Sequence, residues 1–376
     1  AMANNKSGSM QPQMPFNRAG INLGMSTNQR AITMTQTDIS VPTASSFNLQ
    51  FRRFYVNSWG CHSNYHASEA RPFKNNIGSA WNHNMNVHMR LSSTNGHAFY
   101  VDAYGNTKQV ARTAENQDGF DIYTPTPLGE DGSDANALTR ERAVIFRRNV
   151  AGKWFEIVYP DGNTSRFSAP INDEERYCRL EWFKDPSGNQ FNLTYQDCYV
   201  PTPTEEDPNL VTNFGRLARV DAPTGDGRHL AFSYTGNRIA TVELRNASNA
   251  IIKEIDYTYG TFHPLQQGEQ DPYGTGFLRG VQVDNNTNDI VSFEYDDGTY
   301  NQQPCGLYPS KITDKAGNQL LLDFQYSLIA GEQSPSATTI SLTHPDGMVL
   351  KFEKTASYTT TAKAYDGTTL MSRFDY

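Results

Sequence analysis

The amino-acid sequence predicts an all-β protein, made of stacked antiparallel β-hairpins that form a curved or spiralling sheet. The first observation is composition: the 376 residues include 20 tyrosines and 20 phenylalanines, with 28 glycines and 19 prolines. Aromatic residues favour strands, whereas glycine and proline favour tight turns. The second is a recurring phrase, in which a short alternating strand, an Asp or Asn with Gly, and another alternating strand follow one another.

This phrase has a direct physical explanation. Asp and Asn side chains bond the backbone of the turn, and glycine supplies the positive φ that a twisted hairpin needs. The returning strand carries apolar residues at every second position, so one face is apolar and can be buried only when hairpins lie side by side. The predicted structural repeat residues are Asp161, Gly162, Asp185, Gly188, Tyr195, Tyr234, Asp314, Gly317 and Tyr326.

The chain divides into four parts by composition and pattern. Residues 1–30 are polar and rich in Met, Asn and Gln, which predicts a flexible leader with a cloning remnant at its start. Residues 31–112 form an N-terminal segment with strand-like alternation, and residues 141–376 carry the hairpin repeats. Residues 113–140 are acidic and rich in Thr, Pro and Gly, which predicts a long surface loop, as does the similar stretch 200–213.

Charge and hydropathy exclude several classes of function. The net charge is −8 and the basic residues form no long run, which argues against a nucleic-acid partner. The sequence contains no stretch of 18 or more apolar residues, so no membrane span is predicted. The chain has no phosphate loop, serine elbow, HExxH or dinucleotide fingerprint, so no cofactor is predicted.

Histidines concentrate in one region, since five of the eight lie between residues 62 and 97. Cys61, His62 and His66 offer thiolate and imidazole ligands that could bind a metal ion. The alternative, which we favour, is a set of hydrogen-bonded or exposed histidines in a loop. The four cysteines fit no CxxC pattern and are predicted to be free buried thiols, with one or two disulfides as the alternative. These cysteines are Cys61, Cys178, Cys198 and Cys305.

A polysaccharide-active enzyme is a further hypothesis for the same region. Tyr65, His66 and His83 are the candidate catalytic residues, because lyases use a Tyr or His base close to Arg, Asn or Gln side chains. No spacing specifies such a site, so enzymatic activity is the less favoured interpretation. The many aromatic side chains would equally suit carbohydrate binding, although the repeats already need them for their core.

Two features resemble the Rhs/YD-repeat family, which includes Rhs polymorphic toxins, the C component of Tc toxins and the teneurins. The first is the returning strand Gly188-Asn189-Gln190-Phe191-Asn192-Leu193-Thr194-Tyr195. The second is a start-of-array signature, with Asp38 to Pro42, then Phe47 to Phe51, then Arg53 to Ser58, and Gly78 to His83 around Trp81. Ala80 stands where the family has a second glycine, and His83 occupies the structural Trp-x-His position.

The resemblance implies a spiralling β-sheet that winds into a hollow shell, with the N-terminal segment closing one end. It implies a structural scaffold, secreted or at the cell surface, that encloses a toxic payload or serves in its delivery. Partners would be the remainder of a larger Rhs-type polypeptide, a glycan or a cell-surface receptor. The family's self-cleaving core motif does not occur, and the chain stops in mid-repeat at residues 373–376, so we expect a fragment or a short array.

Overall fold

The structure is a computed structural model, and the protein is all-β as predicted. It describes residues 21–26, 31–56, 76–92, 96–105, 107–125, 144–171, 176–197, 215–267, 269, 275–329, 335–356 and 359–375. Every regular element among these residues is a strand, and the strands pair in antiparallel order. In the described ranges no helix has the length and apolar character needed to cross a membrane.

The first four strands form a separate N-terminal sheet. They are β1 (Ile21–Ser26), β2 (Ala31–Val41), β3 (Leu49–Val56) and β4 (Trp81–His83), paired in that order. The β2–β3 ladder contains a bulge, because Thr37 pairs with Arg52 and Ile39 with Phe51, which leaves Asp38 as the extra residue. A bulge redirects the side chains that follow it. As a result, Asp38 and Ile39 are both buried, although they are adjacent in sequence.

The next eight strands form a closed ring. They are β5 (His88–Leu91), β6 (His97–Val101), β7 (Thr107–Gln117), β8 (Phe120–Pro125), β9 (Ile145–Asn149), β10 (Phe155–Val158), β11 (Thr164–Phe167) and β12 (Tyr177–Lys184). Each pairs with its predecessor, and the first half of β12 returns to β5, with Tyr177 opposite Arg90. A barrel of this strand number is narrow enough for its own side chains to fill. Tyr100, Phe155 and Phe167 are among the buried residues of the ring.

The remaining strands continue from β12 as the hairpin array. They are β13 (Gln190–Gln196), β14 (Arg216–Asp221), β15 (His229–Thr235), β16 (Arg238–Arg245), β17 (Ile251–Gly260), β18 (Phe277–Val283), β19 (Val291–Tyr300), β20 (Gln303–Asp314), β21 (Gln319–Ser327), β22 (Ser336–Thr343), β23 (Met348–Ala356), β24 (Thr359–Asp366) and β25 (Thr369–Asp375). The second half of β12, from Trp182 to Lys184, pairs with β13, whereas its first half pairs with β5. The sheet therefore turns once, meets its own first strand, and continues past it.

The turns of the array show the chemistry that the repeat phrase predicts. Gly188 and Gly317 have φ of 87° and 84°, in the left-handed region. The carboxylate of Asp314 accepts the backbone N–H of Asn318 at 2.8 Å, and Asp185 holds Asn189 in the same way at 3.0 Å. Each of these turns thus satisfies its own backbone and leaves the flanking strands in register.

A second repeated contact, which we call the tyrosine lock, connects four strands of the array to the strand before each of them. A tyrosine hydroxyl donates to a backbone carbonyl 15 to 20 residues earlier in the chain. The pairs are Tyr195 with Leu180, Tyr234 with Leu217, Tyr259 with Ile239 and Tyr295 with Leu278, at 2.8, 2.7, 2.6 and 2.7 Å. In all four strands the ladder shifts register immediately before the tyrosine. The bulge increases the local twist and positions the ring.

Two segments differ from their predicted state. Residues 113–125 were expected in a long loop, yet they lie in β7 and β8, whose turn is formed by Asp118 and Gly119 with φ of 50° and 84°. Asp-Gly favours this hairpin turn, and the acidic composition obscured that signal. Strand β1 lies inside the predicted flexible leader, where it pairs with β2 and covers the edge of that strand. Residues 126–143 and 198–214 lie outside the described ranges.

Candidate functional site

The buried face of the N-terminal sheet lies against the hairpin array, and we call this interface the seam. Its apolar part is aromatic. The Phe51 ring centroid is 5.6 Å from that of Phe232 on β15 and 6.2 Å from that of Tyr257 on β17. The Tyr55 ring lies 6.2 Å from that of Tyr295 on β19. One sheet therefore covers three alternate strands of the array.

An ion pair lies at the centre of the seam. The side chains of Arg53 and Asp38 have no solvent exposure. Arg53 donates from Nε to Asp38 Oδ2 at 2.5 Å and from Nη2 to Oδ1 at 3.1 Å, and Gln36 Oε1 also accepts from Nη2. The Tyr257 hydroxyl donates to Asp38 Oδ2 at 2.6 Å. These four residues form the seam cluster, and Tyr257 makes it a link between the N-terminal sheet and the array.

The electrostatics of the seam cluster favour a structural role. Burial alone would lower the pKa of Arg53, but attraction and hydrogen bonding to Asp38 outweigh it, so the pKa is raised. Burial, followed by the negative charge of Asp38, raises the pKa of Tyr257 well above its usual value. At ordinary pH the cluster holds a guanidinium cation and a neutral phenol. Neither group is suited to exchange a proton with a substrate.

Trp81 makes a second link across the seam. Its indole N–H donates to the Tyr295 hydroxyl at 2.8 Å, and that hydroxyl donates onward to the Leu278 carbonyl at 2.7 Å. The predicted structural tryptophan therefore joins the N-terminal sheet to a tyrosine lock. The turn before it approaches the array backbone so closely that a Cβ at Gly78 would lie 2.8 Å from the Leu278 nitrogen, and only glycine fits there. Ala80, two residues later, also has a positive φ, of 62°, which is uncommon for a residue other than glycine.

The loop from 42 to 48 clamps the N-terminal sheet onto two turns of the repeats. Ser46 donates its backbone N–H to Asp185 Oδ2 at 3.1 Å, and the Asn189 amide donates to the Ala44 carbonyl at 3.2 Å. Arg228 donates to the Pro42 carbonyl at 2.7 Å. The side-chain hydrogen bond from Asn189, supported by the backbone N–H of Ser46, lowers the pKa of Asp185 to about 2. A predicted turn residue thus also serves as a docking point.

His83 is the one candidate catalytic residue that the structure describes. It is buried on β4, with Nε2 3.2 Å from the Asn76 amide nitrogen and its ring 5.2 Å from Phe51. Burial lowers the pKa of His83 to about 3, so the ring is neutral at ordinary pH and a weak base. Its surroundings argue against general-base catalysis. Tyr65 and His66 lie outside the described residues.

The metal and thiol candidates have separate outcomes. Cys61, His62 and His66 lie outside the described ranges, and within those ranges no three His, Cys, Asp or Glu side chains are grouped as a metal site. Cys178 is a buried free thiol of the ring, and burial raises its pKa to about 12. A thiol of that pKa is unreactive at neutral pH. Cys198 is outside the described residues.

The comparisons with known proteins give only loose likenesses. No family model and no curated protein matches the sequence. Among solved structures, the N-terminal domain of effector protein SpvB from Salmonella typhimurium strain LT2 aligns at 9% identity and a TM-score of 0.29, over 90% of this chain and 98% of that one. The structure of TcdB2-TccC3-Cdc42 aligns at 12% identity and a TM-score of 0.28, over 90% of this chain but 19% of that one. At these scores the fold and function have to be argued from the residues themselves.

Proposed function

We propose that this chain is a structural β-repeat scaffold, a wall segment of a secreted or surface protein of Rhs/YD-repeat type. In this proposal the N-terminal sheet is a permanent cover over one face of the array. The observation that carries it is the seam cluster, in which a fully buried ion pair on the cover bonds a tyrosine of the repeats. The start-of-array signature supports the same assignment, since Asp38, Arg53 and Trp81 all belong to that signature.

The remaining polar groups of the seam are also used for structure. The tyrosine locks bond a hydroxyl to a backbone carbonyl, the Trp81 indole bonds the Tyr295 hydroxyl, and the Asp185 carboxylate accepts from the Ser46 backbone. Such contacts stabilise a wall and offer no reactive group to a substrate. The finer assignment, a shell that encloses or delivers a toxin, follows from the family resemblance. Its partner would be the remainder of a larger polypeptide.

Hydrogen exchange of the full chain, followed by mass spectrometry, tests the cover. A permanent cover predicts that the amides of β3 and those of β15, β17 and β19 are protected together. Arg53→Met should accelerate exchange in both sets, because it leaves Asp38 buried without its cation. The matched control is Arg219→Met, which removes a half-exposed ion pair with Asp221. If β3 exchanges rapidly in the unaltered protein while the array stays protected, the N-terminal sheet is not part of the wall.

A glycan array and a cell-adhesion assay test the alternative of a binding module. The scaffold proposal expects no glycan hit and no adhesion above that of a protein of similar charge. Specific binding by the unaltered chain would favour the binding-module hypothesis over the scaffold proposal. The two experiments are independent, because a binding module could also carry a tightly docked cover.

A further inference from the structure

The outer face of the ring carries a row of aromatic and basic side chains, which we call the cationic strip. On the opposite face of the same strands, Phe155 and Phe167 are fully buried in the core of the ring. Trp154 and Arg166 immediately precede these two phenylalanines, and neighbouring side chains of a strand point to opposite faces. Every member of the strip is partly exposed to solvent. The members are Phe120, Arg147, Trp154, Arg166, Trp182 and Lys184.

The members of the cationic strip contact one another across the strands. The guanidinium of Arg147 lies 4.6 Å from the centre of the Phe120 ring, whose centroid is 5.6 Å from that of Trp154. The guanidinium of Arg166 lies 3.4 Å from the centre of the Trp154 ring. Arg166 is also the ladder partner of Trp182 on β12. Cations and aromatic rings therefore alternate along the strip, as cation–π attraction favours.

The cationic strip has an excess of positive charge, although the chain as a whole carries a net charge of −8. One of its cations is neutralised, because Arg147 forms an ion pair with Glu156. In the described part of the chain, Arg166 and Lys184 form no ion pair. Lys184 instead lies over the Trp182 ring, with Nζ 5.0 Å from the ring centre. Two cations of the strip are therefore available to an anionic partner.

The side chains of the strip indicate which kind of anionic partner it fits. Tryptophan and arginine are enriched among the residues that carry most of the binding energy of protein–protein interfaces. A guanidinium that lies against an aromatic ring can still donate from its N–H groups to a carboxylate. A cation already lies over one face of both Trp154 and Trp182, which reduces the aromatic surface open to a stacked sugar ring. These features favour an acidic polypeptide over an acidic glycan.

We propose that the cationic strip is a docking surface for a segment of a partner polypeptide that combines acidic and apolar side chains. The carboxylates of that segment pair with Arg166 and Lys184. Its apolar side chains cover the exposed parts of Phe120, Trp154 and Trp182. The proposal concerns the outside of the ring, so it depends neither on the seam nor on the scaffold function.

Selection from a displayed library of random peptides on the full chain tests the docking surface. We expect the enriched peptides to combine Asp or Glu with apolar residues. The affinity of a synthesised, selected peptide is then measured by fluorescence anisotropy. Arg166→Gln should weaken its binding by about tenfold or more, and added salt should weaken the binding to the unaltered chain. The matched control is Arg245→Gln, which removes a partly exposed arginine of the array that is paired with Glu243 and should leave the affinity unchanged.

Three results would overturn the proposal. The first is a selection that enriches no peptide, or only peptides without acidic residues. The second is an affinity that Arg166→Gln does not change. The third is Arg166-dependent binding of a labelled oligogalacturonate without such binding of the selected peptides, because the strip would then recognise an anionic glycan. If Arg166→Gln does not fold, Lys184→Gln at the end of β12 is measured in its place, with the same expected loss.

Discussion

The ring and the array bury their apolar faces in different ways. The ring closes on itself, and its core comes from its own strands, where the Tyr100 ring lies 5.7 Å from Phe146 and 6.1 Å from Phe167. The array instead has part of its face, at β15, β17 and β19, covered by the N-terminal sheet. Asp38 and Tyr257, which join the two, are 219 residues apart in sequence. The ring thus depends on contacts within one stretch of chain, whereas the array depends on a distant segment.

This difference predicts that the stability of the ring falls most when an aromatic side chain of its core is removed. Phe155→Ala removes a fully buried side chain, and we expect the free energy of unfolding to fall by about 3–5 kcal/mol. Urea denaturation measures the loss, with Ile145→Ala, at a 45% exposed position of the same ring, as the control. A similar small loss for both variants would mean that the ring interior is loosely packed.

The array should be most sensitive to the seam cluster. Arg53→Met leaves Asp38 buried and uncompensated, and we expect the free energy of unfolding to fall by about 3–5 kcal/mol. The double variant Arg53→Met with Asp38→Asn removes both charges and should be less destabilised than the single one. A double variant as unstable as the sum of two singles would show that the ion pair itself contributes little coupling.

Acid should weaken the fold through two buried histidines, His83 in the seam and His88 on β5 of the ring. Burial lowers the pKa of His83 from 6.5 to about 3 and that of His88 to about 4, so the unfolded chain binds protons first as pH falls. Stability from these groups is complete above pH 6.5 and is lost as pH falls to about 4 for His88 and to about 3 for His83, by about 2 kcal/mol for each histidine at pH 5. His83→Gln should reduce the slope of unfolding free energy between pH 6.5 and 4. His97→Gln is the control, and an equal change in both would contradict the burial effect.

The smallest expected effect separates the tyrosine locks from other repeat tyrosines. Tyr195→Phe removes a buried hydroxyl bond to the Leu180 carbonyl, and we expect a loss of about 1 kcal/mol. Arg179 lies over the Tyr195 ring at 4.5 Å, and Lys351 lies over the Tyr365 ring at 5.4 Å. Tyr365, on β24, also follows a register shift, but its hydroxyl bonds none of the described residues. Tyr365→Phe should therefore change the thermal midpoint much less. If the two variants lose the same stability, the hydrogen bond from the Tyr195 hydroxyl to the Leu180 carbonyl is not what stabilises the strand pair.

The sequence pattern was sufficient to predict the all-β class and the hairpin turns, because both follow from local chemistry. Gly188 and Gly317 carry the positive φ that the Asp-x-x-Gly phrase indicates. The hairpin over 113–125 was missed because an acidic, proline-rich context dominated the Asp118-Gly119 signal. Acidic side chains indicate that a segment is exposed to solvent, but they do not prevent its backbone from pairing as strands.

The seam was only partly predictable. Trp81 was singled out from the family resemblance, but its partner Tyr295 was not, since nothing local to either residue indicates a bond across 214 positions. The role of Asp38 depends on a one-residue bulge, which shifts two neighbours onto one face and has no sequence signature of its own. The tyrosine lock of Tyr259 was not predicted either. Its hydroxyl bonds the Ile239 carbonyl and its ring lies under Arg238, so the Arg238-Ile239 pair at the start of the preceding strand is the sequence signal that could have indicated it.

The shared strand β12 has a consequence for how such a protein can change its length. Its first half completes the ring and its second half starts the array, so ring closure is finished before any later hairpin is added. Insertion or deletion of a whole hairpin beyond the region covered by the N-terminal sheet would preserve the alternation of faces and leave the closure untouched. A single extra residue within a strand, if no bulge absorbs it, would instead invert the side chains that follow it in that strand. The architecture can therefore extend in units of two strands, while the ring closure at β12 stays unchanged.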